Sequence, residues 1–501
     1  MASAWILAID QGTTNTKALL IDGEGQVVFR SSAPLELLQP QPGFVEQDPL
    51  ALWQSVCRVA GDCVRYSAAQ GTSIAAIAIS NQRETAVTWR SNGESVGNAI
   101  TWQCRRSAQV CDRLRHQAPH IQSLAGLPLD PLLSATKWAW VLEQHPELRR
   151  QAGNSEVRLG TVDSWLLYKL SGGRAHATDH TNASRTALLN LTSLEWDDNL
   201  LAVFEIFRAA LPELKPSSGV FAECAAIPEL AGVPIASMIG DSHAALVGHG
   251  CYESGTVKAT YGTGSSLMML TPDLVTETQN LARTVAWSAP GDTRFALEGN
   301  IAMSGAAVQW VGEFLGLAHP AEDAAALAET VPDAAGVVLV PAMVGLGAPH
   351  WDATARGVIA NLERSHTAAH LARAAVDAIA FQVADVLEAM EKAAGVNLPV
   401  LLADGGATRN SALMQMQADI IGRPVHRSTQ EDLSARGAAM LAGMALGWWK
   451  SPAQLAALPK YVDVFEPRMN AAKREALRDS WRLAVSRARL RQSMKEGSPS
   501  C

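Results

Sequence analysis

The sequence predicts an α/β protein built from two related halves. Three observations carry that prediction. WILAID runs into the polar turn QGTTNTK and returns at once as ALLID, a hairpin with a hydroxyl-rich bend. IAAIAIS at 74–80 is a short apolar run that stops abruptly at the polar NQRE. VLLADGG at 400–406 repeats the pattern of an apolar strand ending in Asp and Gly. Asp and Gly at a strand end near residue 10 and again near residue 404 suggest an internal duplication.

The elements follow in order. Leu19, Leu20 and Ile21 are too few for a helix, which makes the first unit a hairpin and not a P-loop; no GxxxxGK[ST] occurs in the chain. Residues 48–70 repeat apolar positions at helical spacing before the strand at 74–80. Residues 134–145 and 164–170 read as helices. SSLMMLTPD, after YGTG, reads as a strand and turn. Residues 367–395 form a long Ala-rich helix, and 435–447 another. The boundary between halves falls between Gly250 and Val257, giving domains at 1–250 and 251–450. Residues 451–501, richer in charge, are expected as a surface helix and a fraying tail.

Composition narrows the function. Of 501 residues, 48% are hydrophobic and 18% charged, a globular mixture able to fill large cores. The net charge of −8, from 49 acidic and 41 basic side chains, argues against a nucleic-acid backbone binder. MASAWILAIDQG lacks a basic leader region, and no window approaches a membrane span. The seven cysteines form no CxxC and fit neither a zinc site nor a disulfide framework, so reduced thiols in a cytoplasmic protein are expected.

Several polar positions invite chemistry, each with a plainer alternative. Asp241, between the apolar IASMIG and the small-residue SHAAL, suits a helix cap and equally a general base. DQGTT is an ordinary hairpin turn or a phosphate turn, and TYGTGSS at 260–266 is a second such turn. Arg83 and Glu84 form a structural salt bridge or a pair that donates to and accepts from adjacent hydroxyls. Gln309 alone reads as a helix-surface residue. His243 is a cleft-wall residue as readily as a ligand contact, and no histidine has metal-ligand spacing.

Ten segments in order give the chain its resemblance. They are DQGTTNTK, GFVEQDP, SNQRETAVTW, NAITWQCRR, GTVDSWLLYKLSGG, TDHTNASRT, GDSHAAL, TYGTGSS, GLGAPHWD and DGGATRN. Together they resemble the FGGY carbohydrate kinases, most of all the glycerol kinase branch, over about residues 5–450. The resemblance implies two ribonuclease H-like, actin-like ATPase domains around a central cleft. The polyol would sit mainly on the first domain and ATP on the second.

On that basis Asp241 is the base and Asp10 the Mg²⁺ ligand, since a carboxylate near a triphosphate needs a cation between them. Thr13, Thr14, Asn15 and Lys17, with Gly262 and Thr263, would hold phosphates. Gly305, Gln309, Gly405, Gly406 and Asn410 would hold the nucleoside. Arg83, Glu84, Trp102, Asp241 and Ser242 would hold the acceptor. The implied activity is ATP-dependent phosphorylation of a terminal hydroxyl of a small polyol or sugar, glycerol first, by a homodimer or homotetramer. Three positions depart from the branch: His243 stands where it has Gln, and two polyol contacts are lost, with Leu132 where it has Tyr and Ser242 where it has Gln. Both losses widen the pocket and keep open a four- or five-carbon polyol or a ketopentose. An actin-like ATPase without a polyol substrate and a silent sugar-binding regulator are the competing classes.

Overall fold

The computed structural model describes residues 4–490. Strands β1 (Ala4–Gln11) and β2 (Asn15–Ile21) form the expected hairpin, paired from Ile6↔Ile21 to Gln11↔Thr16. β3 (Val27–Pro34) extends it. Helix α1 (Pro49–Ala69) starts on Asp48, whose side chain accepts from Leu50 N–H, with Pro in the first turn. It buries Leu52, Val56, Val59 and Cys63 along one face. The chain returns as β4 (Ser73–Asn81), parallel to β1 with Asp10 beside Ser80. Helices α2 (Ser134–Gln144) and α3 (Val162–Leu170) follow. β5 (Ser218–Glu223) and β6 (Pro234–Gly240) complete a sheet ordered β5-β6-β4-β1-β2-β3. α4 (Asp241–Gly248) springs directly from β6.

The second half repeats this plan. β7 (Val257–Tyr261) and β8 (Ser265–Thr271) form a hairpin; β9 (Ala282–Ala289) and β10 (Asp292–Ile301) continue it antiparallel. After α5 (Gly305–Phe314) and the long α6 (Ala368–Ala394), β11 (Leu401–Asp404) lies parallel to β7. α7 (Ser411–Ile421), β12 (Val425–Ser428) and α8 (Leu433–Ala445) follow. The order β10-β8-β7-β11-β12 matches β3-β2-β1-β4-β6, three antiparallel strands then two parallel ones. The duplication is therefore present, but its partners differ from those the sequence suggested. Asp10 corresponds to the TYGTG hairpin, and the Asp404 strand end corresponds to the end of β4. Short Asp-Gly matches mislead because both strand types end at the cleft.

Alternation along β1 separates two cores. Leu7 and Ile9 pack outward under α1, while Ile6 and Ala8 pack between the two sheets with α4 and α8. Those two helices touch backbone to backbone. A Cβ on Gly437 would lie 1.8 Å from Ala244 O, and one on Gly248 would lie 2.2 Å from Leu433 O. The apolar layer fixes the floor on which both domains rest, and the cleft opens above it.

Beyond residue 450, β13 (Val462–Phe465) adds an edge strand to the second sheet. α9 (Ala471–Ala488) packs Trp481 on Phe381, ring centroids 5.2 Å apart, and sends Ala484 and Val485 into the second core. The expected tail at 491–501 lies outside the described residues.

Candidate active site

A cavity of about 850 Å³ lies between the domains. Strand ends supply its polar wall: Asp10 from β1, Arg83 after β4, Asp241 after β6, and Asp404 to Gly406 after β11. Parallel strands ending together place these groups side by side, which is why residues far apart in sequence meet.

Asp241 opens α4 but does not cap it. Gly240 holds the cap position, and Asp241 Oδ1 accepts from Ser242 N–H at 2.6 Å. This corrects the helix-cap alternative: the carboxylate is one residue too far along and turns toward the cavity. Its recessed setting raises its pKa, and Arg83, whose Nε lies 3.2 Å from Oδ1, pulls it back.

Asp10 Oδ1 accepts from Ser80 Oγ at 2.9 Å. Desolvation and the neighbouring charge of Asp241 push its pKa up to about 7. Two carboxylates that destabilise each other's charge in one cleft form a setting that a divalent cation relieves. Among the described residues no group of three His, Cys, Asp or Glu side chains could hold a metal. Magnesium bound with phosphate oxygens and water needs only one or two protein carboxylates, and Asp10 fits that pattern.

Arg83 and Glu84 do not pair with each other. Arg83 Nη1 meets Glu298 Oε1 at 2.8 Å. Arg185 bridges Glu298 Oε2 and Glu84 Oε1, both at 2.6 Å. The result is a chain of ion pairs, Asp241–Arg83–Glu298–Arg185–Glu84, largely buried except at Asp241 and crossing from the first domain to β10 and back. Burial opposes the charge on Glu298, but Arg185 and Arg83 outweigh it and hold the carboxyl well below the usual range. Glu84 has φ 60°, so the chain turns sharply there, and the buried Lys137 amine holds its carbonyl.

The other predicted residues separate into groups. Lys17 and Ser242 line the cavity with Asp10, Arg83 and Asp241; Glu84 and Trp102 do not. Trp102 donates from Nε1 to Thr13 Oγ1 at 2.9 Å and so is tied to the first hairpin. Lys17 Nζ is paired with Asp432 Oδ1 at 2.7 Å. Thr14 and Asn15 are exposed at the hairpin tip. Leu132 is half-buried, and its carbonyl accepts from Lys137 beside Glu84's.

On the second domain, the Gly262 and Thr263 carbonyls accept from Gly305 and Ala306 N–H, seating α5 on the turn. A Cβ on Gly305 would lie 2.7 Å from Gly262 O. Gln309 is exposed and donates to Glu313 on its own helix. Asn410 caps α7, accepting from Leu413 N–H at 2.8 Å. Gly405 and Gly406 line the cavity.

Sequence reading missed Glu298, Arg185, Lys258 and Asp432. A lone Glu in the apolar run FALEGNI and a lone Lys in VKATY were the available signals, because a charge inside a buried strand needs a partner. His243 is buried, its Nε2 3.0 Å from Thr284 Oγ1, and burial holds its pKa well below the ordinary value.

Residues 5–248 match the N-terminal domain model of the FGGY family of carbohydrate kinases, and residues 257–446 match the C-terminal one. A glycerol kinase 2 of Thermotoga maritima is 44% identical over 97% of this chain and 98% of that protein. A glycerol kinase of Symbiobacterium thermophilum is 44% identical over 98% and 99%. The solved Plasmodium falciparum glycerol kinase with ADP superposes with a TM-score of 0.92 at 30% identity, covering 98% of this chain and 99% of that one. A xylulose kinase of Lactobacillus acidophilus shares the fold, with a TM-score of 0.86 at 24% identity over 96% and 97%.

Proposed function

The chain belongs to the FGGY family of carbohydrate kinases, and from that premise we propose that it transfers the γ-phosphoryl group of ATP to a terminal hydroxyl of glycerol, giving glycerol 3-phosphate. The observation that carries this reading is the Asp241–Arg83 contact of 3.2 Å in a cleft shared by both domains. It supplies an acceptor for a proton and a donor for a neighbouring hydroxyl within one small space.

Asp241 takes the proton of the attacking hydroxyl as its oxygen bonds to the γ-phosphorus. The bond from that phosphorus to the β,γ-bridging oxygen breaks, and ADP leaves with the electron pair. A raised pKa makes Asp241 a stronger base, while Arg83 keeps enough of it ionised. Arg83 donates to a second acceptor oxygen, and Glu298 fixes the guanidinium for that task. Trp102 offers an apolar face to the carbon chain. Asp10 is the residue we assign to magnesium, which neutralises phosphate charge when bound. The two Gly/Thr hairpins, with Gly405 and Gly406, embrace the nucleotide. Domain closure excludes water that would otherwise hydrolyse it. We place the reaction in the cytoplasm, where Cys57, Cys63, Cys104, Cys111, Cys224 and Cys251 stay reduced.

One observation favours a second reading. Ser242, Ala245 and Ser266 are small, and they line the cavity beside the base. That leaves room for a four- or five-carbon polyol or a ketopentose. ATP- and Mg²⁺-dependent ADP release, measured with glycerol, erythritol, xylitol, ribitol, xylulose and ribulose, tests both. Glycerol is expected to give the highest kcat/KM. A longer acceptor in first place would move the assignment to that class, and polyol-independent hydrolysis would remove it.

A further inference from the structure

Lys258 lies on β7 with only 1% of its surface exposed. Its Nζ donates to Ser242 Oγ at 2.8 Å and to Thr260 Oγ1 at 2.9 Å. Burial lowers its pKa, Arg83 adds to that, and Asp404, Asp241 and Glu298 offset part of the loss. Nothing in the mechanism above uses it.

An ammonium group has three donors and no acceptor. Each hydroxyl it reaches therefore accepts, and sends its own hydrogen elsewhere. Thr260 has the Asp404 carboxylate as its acceptor. Ser242 Oγ makes no hydrogen bond to a carboxylate; Asp241 Oδ1 meets the Ser242 backbone N–H instead. Its protein alternative, Ser266 Oγ, lies 3.4 Å away, long for a hydroxyl pair. Ser242 lines the cavity next to Asp241. Apart from that long contact, its hydroxyl hydrogen is free to point into the cavity.

We propose that Lys258 is a positioning residue that sets acceptor specificity, by fixing Ser242 as a hydrogen-bond donor to a second oxygen of the acceptor beside the hydroxyl that Asp241 deprotonates. The proposal rests on the kinase reading and deepens it. A rotating serine hydroxyl donates or accepts according to its neighbour. One held by a buried ammonium has an accepting position taken and its hydrogen turned away from the amine, which biases it toward donating. An acceptor lacking the matching oxygen leaves that donor without a partner, which is the strongest form of rejection a small polar site has. The short Ser242 thus does more than vacate space: it asks for an oxygen at a fixed place.

The test compares wild type, Ser242→Ala and Lys258→Met on glycerol, propane-1,2-diol and propane-1,3-diol, with ADP affinity as a check on folding. Wild type is expected to prefer glycerol over at least one diol in kcat/KM. Both variants should shrink that preference by about tenfold or more, through a raised KM for glycerol, with little change for the diol that lacks the contacted oxygen. If Lys258→Met does not fold, Ser242→Ala can still overturn the proposal, because the same selective loss is required of it. A uniform loss on all three acceptors, or an unchanged ratio, overturns the proposal. Absence of wild-type turnover on glycerol removes the glycerol reading together with this one; turnover with unchanged ratios removes this one alone.

Discussion

Arg83 of the first domain and Glu298 of the second meet at 2.8 Å, Nη1 to Oε1, across the domain boundary. The same guanidinium reaches Asp241 through Nε, so one planar group joins the second domain to Asp241. Glu298 also holds Arg185, and both its partners are nearly buried. Removing it as Glu298→Ala leaves two guanidinium groups without their shared carboxylate. The expected cost is about 3–5 kcal/mol, the usual penalty for an uncompensated buried charge. A lowered thermal midpoint together with a raised acceptor KM would bear this out. An unchanged midpoint would mean that Glu298 contributes no such coupling.

Asp241→Asn keeps the shape of the side chain and removes its basicity. Turnover should fall by about 10²–10⁴-fold, the range general-base catalysis supplies. ADP affinity, measured by calorimetry, should stay near the wild-type value because the nucleotide is assigned to the second domain. A variant that transfers phosphate at the wild-type rate would show that the proton leaves by another route.

Much of this architecture was legible in the chain, and the reasons are local. The hairpin at 4–21, α1 and β4 follow from periodicity and turn chemistry within short windows, and the structure has them almost to the residue. Strand ends such as Asp10 and Asp241 were visible because an apolar run stops on a charge. Relationships between distant segments were not. Lys17 pairs with Asp432, and Arg83 with Glu298, over separations that no window spans. Adjacent residues invite the alternative of a mutual Arg83–Glu84 salt bridge, and it fails. The positive φ at Glu84 turns the two side chains to different partners. The close passage of α4 over α8 was likewise hidden, since Gly437 is ordinary in an Ala-rich helix until its neighbour is known.

Away from the cleft, Asp163 gives the protein a pH-dependent stability. It is fully buried at the start of α3, accepting from Thr161 and Thr178. Burial, with Asp179 adding to it, raises its pKa from 3.8 to about 6. The folded state therefore keeps the proton over a range where the unfolded chain has lost it. Its contribution is fully present below pH 4 and is lost as pH rises through about 6. The shift corresponds to roughly 3 kcal/mol. Denaturant unfolding across that range should show a downward slope that Asp163→Asn flattens. An identical slope in the variant would assign the titration to other groups.

Gly405 and Gly406 stand side by side in the cavity wall, yet only one of them needs to be glycine. Gly405 has φ 97°, and a Cβ there would lie 2.4 Å from the Tyr261 carbonyl. The backbone at Gly406 has an ordinary φ, and a Cβ there meets nothing within 4 Å. Gly405→Ala therefore combines a left-handed backbone with a collision against β7, whose hairpin carries the Gly/Thr turn at 260–266. Strain of about 1–3 kcal/mol is expected, with weakened ADP binding as that turn shifts. Gly406→Ala should fold with the wild-type thermal midpoint, so any loss of ADP affinity in it reports contact with the nucleotide itself. Comparing midpoints and ADP affinities of the two variants separates the roles. Equal destabilisation of both would contradict the geometry, and full ADP affinity in Gly406→Ala would take that residue out of the nucleotide site.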